Sequence, residues 1–104
     1  MEITVLWSDS AISDLQNIHD YYLSKANLKV ARKIVNAIVN KSELLIDNPR
    51  IGQTEELLKH KKEEIGYLVE GNYKIVYLLE GEMAFIATIF DCRQNPEKLS
   101  TKEI

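Results

Sequence analysis

Apolar residues change period along the chain. Over residues 9–24, Ala11, Leu15, Ile18 and Tyr22 step by four, three and four, which sets them on one face of a helix with Ile12 at its edge. Ser8 or Asp9 supplies an oxygen for the free N–H groups of the first turn, and Asp14 favours the positive end of the helix dipole. After a short break at Ser24 to Leu28, with Asn27 as cap, a second stripe follows in Val30, Ala31, Ile34, Val35, Ile38 and Leu45, with Ala37 beside it. Its polar side carries Lys29, Arg32, Lys33, Asn36 and Lys41. Asn48 precedes Pro49 and is pushed out of the α region, so this helix is expected to stop near Asp47. Two antiparallel helices with a short link result.

Elsewhere the pattern is that of strands. Residues 3–7 are short, β-branched and aromatic, and three further runs follow at 64–69, 73–79 and 83–90. Gly71-Asn72 and Glu80-Gly81-Glu82 separate them, which predicts a meander joined by hairpins. Between Pro49 and Lys62 the sequence turns polar and reads as a long loop, with one helical turn at residues 55–59. Pro96 stops any continuation of the last strand, leaving residues 97–104 as a half-turn of helix or a tail. The order strand-helix-helix-strand-strand-strand predicts an α+β domain: a helical hairpin packed on one face of a small antiparallel sheet. Strand 3–7 is expected to join that sheet, because alone its backbone groups would lack partners.

Nothing divides the 104 residues, so a single domain over 1–104 is expected, large enough to bury about two-thirds of its unfolded surface. Apolar residues at 45% against 28% charged mark a folding chain rather than a disordered one. The net charge of −3 argues against affinity built on general attraction to polyanions. Charge is uneven, however: net −4 over residues 1–24, +5 over 25–62 and −4 over 63–104. The basic middle, with Arg50 and the run Lys59-His60-Lys61-Lys62, can still meet an acidic partner locally. The single cysteine, Cys92, cannot form an internal disulfide, and no CxxC or Cys/His cluster suggests a metal or cofactor, so neither is expected. The start lacks a secretory pattern and no window approaches about 18 uncharged apolar residues, which predicts a cytoplasmic chain without a membrane partner.

No phosphate-cradling glycine loop, nucleophile elbow, HExxH or EF-hand spacing occurs. His19 lies off the apolar face and reads as a boundary side chain. His60 sits among lysines, which lower its pKa and suit a base, although a loop histidine is the commoner outcome. Cys92 reads as a small half-buried residue. The more suggestive set is Tyr73, Lys74, Tyr77 and Arg93. Alternation puts Tyr73, Ile75, Tyr77 and Leu79 on one face and Lys74, Val76 and Leu78 on the other, with one face holding the core. Lys74 and Arg93 could then border one concave surface fit for an RNA phosphate or an acidic segment; the alternative is surface cations paired with Asp91 or Glu70.

Four stretches resemble the RelE/ParE-type toxins of bacterial toxin–antitoxin modules: Trp7-Ser8-Asp9-Ser10-Ala11 with Asp14-Leu15, Ile18 and Tyr21-Tyr22; Asn48-Pro49-Arg50-Ile51-Gly52; Gly71-Asn72-Tyr73-Lys74-Ile75-Val76-Tyr77; and Ile89 through Leu99. The likeness spans nearly the whole chain in the right order. It implies a toxin neutralised by a cognate antitoxin in a hetero-oligomer. RelE-like members cut mRNA in the ribosomal A site with basic side chains and an acid or base, and on that reading the candidates are Arg93, Lys74, Tyr73 and His60. Arg93 matches the arginine after the last strand. A lysine, Lys74, stands at the middle-strand arginine, Ile65-Gly66-Tyr67-Leu68 replaces a basic strand, and Leu99 stands where a tyrosine is usual. ParE-like members act instead by binding DNA gyrase, and the ending Phe90 to Leu99 resembles that plasmid-stabilisation branch more. The resemblance then makes Arg93, Lys98 and Lys74 candidates for target contact. Ile12, Tyr22, Leu23, Leu44 and Tyr67 are candidates for an antitoxin groove. A third reading keeps the fold as a non-toxic antitoxin-binding module.

Overall fold

The computed structural model describes residues 3–54, 64–94 and 99. Strand β1 (Thr4–Trp7) leads into helix α1 (Asp9–Lys25) and helix α2 (Leu28–Ser42). The two-residue strand β2 (Gln53–Thr54) and the meander β3 (Glu64–Glu70), β4 (Tyr73–Glu80) and β5 (Met83–Asp91) follow. One five-stranded sheet runs in the order β1-β5-β4-β3-β2. Its meander is antiparallel, as the alternation predicts, and β1 joins it parallel to β5, from Thr4 opposite Met83 to Trp7 opposite Ile86.

Both helices start where a short polar side chain is available. Ser8 accepts from the Ala11 N–H and Asn27 from the Val30 N–H, each filling an otherwise unpaired donor of the first turn. α2 ends earlier than its apolar stripe: the Ser42 hydroxyl donates to the Val39 carbonyl at 2.6 Å, and Glu43–Leu45 continues as a single tighter 3-10 turn. Leu45 stays fully buried, so the stripe is right and only the winding changes. Gly71 and Gly81 each take the first place of a two-residue hairpin turn with φ near +60°, the glycine-first order of a II′ turn.

The parallel β1 makes the sheet mixed rather than wholly antiparallel, and two further features depart from the sequence reading. Part of the expected loop after Pro49 is a strand, because Gly52 lets the chain press onto β3. A Cβ there would lie 2.2 Å from the Tyr77 hydroxyl and 2.6 Å from the Tyr67 carbonyl oxygen. The helical turn expected at residues 55–59 lies outside the described residues. The second departure concerns the core, which occupies both faces of the sheet rather than one. Ala11, Ile18, Ile38, Tyr73, Ile75, Tyr77, Ile86 and Ile89 pack under the hairpin, while Ile65, Val76, Phe90 and Leu99 form a smaller cluster on the reverse side.

Candidate functional site at the end of strand β5

β1 stops at Trp7, so β5 has a neighbouring strand on that side only as far as Ile86. Helix α1 supplies side chains where the strand is missing. The Ser8 backbone N–H donates to the Ile86 carbonyl and the Ser8 hydroxyl to the Ala87 carbonyl. Asp14 Oδ2 then accepts from the Ile89 N–H at 3.0 Å and from the Thr88 hydroxyl at 2.7 Å. A bulge lies at the same place: Val76 faces Thr88 while Tyr77 faces Ile86, which leaves Ala87 as the extra residue. Past this stitched seam, α1 and the end of β5 border a cavity of about 410 Å³, lined by Asn17, Tyr21, Tyr73, Asp91, Arg93 and Gln94 among others.

Several polar groups of this cleft pair with one another. Asp91 accepts from Arg93 three times, from Nε at 2.9 Å, Nη2 at 2.8 Å and the backbone N–H at 2.9 Å. The Tyr73 hydroxyl donates to the Tyr22 hydroxyl at 3.3 Å. Tyr21 stands edge-on to the Tyr22 ring at 5.0 Å. The side-chain hydrogen bonds from Arg93 hold Asp91 below the usual carboxylate range, and the same contact pushes the guanidinium up. Burial, then the bond to Tyr22, raises the Tyr73 phenol above its ordinary value. Tyr73 therefore keeps its proton at neutral pH. Arg93, occupied on one edge by a bidentate carboxylate, has fewer donors for a phosphate.

Lys74 lies elsewhere. It stands opposite Val69 and Phe90, and its Nζ sits 4.3 Å from the centre of the Tyr67 ring on the reverse face of the sheet. The concave surface expected between Lys74 and Arg93 therefore does not form: the sheet separates them. On the reverse face the strand register lines up Leu6, Phe85, Leu78 and Ile65 as one row of apolar side chains across four strands. Val76 and Phe90 are buried there against Leu99.

Comparison with known proteins fits this architecture. The family model for the ParE toxin of the type II toxin–antitoxin system parDE matches residues 5–96. The chain belongs to this ParE toxin family. A solved structure described as the chromosomal ParDE TA system from P. aeruginosa has the same fold, with a TM-score of 0.71 at 22% identity over 86% of this chain and 95% of that one. A search of curated proteins found no match.

The remaining candidates of this ParE-family chain do not share one groove. Ile12 and Leu23 are exposed on α1, and Leu44 is exposed just past α2, beside a cavity of about 200 Å³ shared with Ile51 and Tyr67. Tyr22 accepts from the Tyr73 hydroxyl, and the Tyr67 ring lies beneath Lys74. His60 and Lys98 lie outside the described residues. Cys92 is exposed rather than half-buried, because β5 ends one residue earlier. Among the described residues no three His, Cys, Asp or Glu side chains group as a metal site would require. Asp14 is the site residue sequence reasoning missed, and Tyr22, named there as a groove candidate, instead joins Tyr73 in this cleft. Asp14 is read from the sequence only as a helix-dipole residue, and its partners are more than 70 positions away with no local signal.

Proposed function

We propose that this ParE-family chain is the toxin of a type II module, that it acts in the cytoplasm by binding DNA gyrase, and that a cognate antitoxin neutralises it in a hetero-oligomer. Family membership supports the toxin–antitoxin assignment. What favours gyrase over mRNA cleavage is the state of Arg93, the arginine that a ribonuclease reading needs most: Asp91 holds it through a bidentate ion pair and its backbone N–H. Lys74, the second cation, faces away across the sheet, over Tyr67. A phosphoryl-transfer site needs cations converging on one oxygen cluster, and these two diverge.

The reading is tested in a bacterial host. Induction of the chain without its antitoxin is expected to arrest growth with chromosomal breaks and filamentation, and co-expression of the antitoxin to restore growth. Arrest that begins with loss of protein synthesis and cut messages, with DNA intact, would move the assignment to the ribosome. Harmless expression would favour a binding module that has lost toxicity.

A further inference from the structure

The cleft at the end of β5 is built from the two acidic stretches of the chain. One wall is α1, in the stretch of net −4 over residues 1–24, and the other is β4, β5 and the turn after it, in the stretch of net −4 over residues 63–104. No described residue of the basic stretch 25–62 lines it. Two carboxylates, Asp14 and Asp91, stand against one cation, Arg93, so the lining itself carries net −1. Asp20, exposed on α1 three residues after Asn17 and one before Tyr21, adds a carboxylate beside the rim.

The sign of the cleft follows from how Arg93 is held. Asp91 takes its Nε and Nη2 in a bidentate pair, which offsets the guanidinium charge and occupies the donors that would grip an anion. An anion entering the cleft would share it with Asp14 and Asp91, whereas a cation is drawn by both. Acceptors and a ring complete the fit. The Tyr73 hydroxyl gives its proton to Tyr22, which leaves its oxygen as an acceptor only. The side-chain amides of Asn17 and Gln94 are engaged by no other described residue and offer two further carbonyl oxygens. Tyr21, 50% exposed at the border of the cavity, has a ring on which a flat cation can stack. The volume of about 410 Å³ suits a site that encloses a small ligand or one side chain of a partner.

We propose that this cleft receives an arginine side chain of the toxin's target, DNA gyrase. The proposal rests on the gyrase reading above and adds the contact site and its chemistry. An enzyme that handles DNA lines the DNA path with arginine and lysine to neutralise phosphates, so such side chains are at hand on this target. A guanidinium suits the cleft better than an ammonium, because its plane stacks on an aromatic ring while its five N–H groups match a lining rich in acceptors.

Nuclear magnetic resonance of the full chain, with Nα-acetyl-arginine methylamide as the probe, tests the cleft by itself. Saturable shifts at Asn17, Tyr21 and Gln94 are expected that weaken as salt rises, and the neutral citrulline analogue should shift them at least about tenfold less. Equal shifts from the two probes overturn the proposal. So does inorganic phosphate that shifts these residues at lower concentration than the arginine probe, which would assign the cleft to anions. Supercoiling by gyrase tests the target. Asn17→Lys changes an exposed helix position and is expected to keep the circular dichroism spectrum. It should raise the concentration needed for half-inhibition about tenfold or more, and Tyr21→Leu about threefold. Asn17→Lys that inhibits within about twofold of wild type overturns the proposal alone. Gyrase undisturbed by the wild-type chain overturns it together with the reading it rests on.

Discussion

The two faces of the sheet carry the same kind of residue and are covered in different ways. Under the hairpin, Ile75, Ile86 and Ile89 meet the stripes of two capped helices. On the reverse, Ile65, Val76 and Phe90 are buried against Leu99, with the Tyr67 ring carrying Lys74 at the margin. A reverse face open to nucleic acid would have to present cations to its phosphates. Here it is packed, and its exposed remainder is apolar, as at Leu6 and Val69. The comparison teaches that a segment distant in sequence can close a sheet face that alternation alone would leave to solvent.

The largest effects test whether the reverse face is core. Ile75→Ala under the hairpin should cost about 2–5 kcal/mol in urea unfolding, and Leu99→Ala a comparable amount, since both side chains are fully buried. If Leu99→Ala were silent, the reverse face would be an open surface. Gly52→Ala should also cost on the order of 2 kcal/mol, because its Cβ would collide with the Tyr77 hydroxyl and the Tyr67 carbonyl. Nuclear magnetic resonance shifts at Tyr67 and Tyr77 would report the resulting displacement of β2.

Next in size is the stitch between α1 and β5. Asp14→Ala removes the acceptor of two hydrogen bonds from the Thr88 hydroxyl and the Ile89 N–H, and should cost about 1.5–3 kcal/mol. Hydrogen exchange at Ile89 should rise selectively, and an unchanged exchange rate there would break this part of the account.

Smallest is the acid response of the cleft. Arg93 holds the Asp91 carboxyl below its usual range, so the contact stabilises the fold above the unfolded carboxylate value, about pH 4, and is lost as pH falls through the lower folded value. Asp91→Asn should therefore flatten stability against pH below about 4 and leave the slope near pH 7 unchanged. An identical acid slope in wild type and variant would mean that the pair is not formed in solution.

Much of this architecture was legible in the residues. Ser8 and Asn27 marked helix starts, Gly71 and Gly81 marked hairpins, and period-2 runs marked the meander, because each signal acts over a few positions. β2 was not legible, since two residues carry no period and its pairing depends on Gly52 fitting beside Tyr77. Nor could alternation tell that Val76 and Leu78 face a second core, because a half-buried and a wholly buried sheet face show the same residue types when the cover comes from a distant segment. At the site, the Arg93–Asp91 pairing was visible as an alternative at two-residue spacing. The Tyr73–Tyr22 contact, 51 positions apart, was not.

The central claim is that this toxin acts by binding protein rather than by cutting RNA, and the most direct test is ATP-dependent supercoiling of relaxed plasmid by DNA gyrase with the purified, antitoxin-free chain added. Inhibition with accumulating cleaved plasmid, reversed by the antitoxin, is the predicted result. Gyrase from the source organism that works undisturbed, together with A-site mRNA cleavage on programmed ribosomes that Arg93→Ala abolishes, would contradict it.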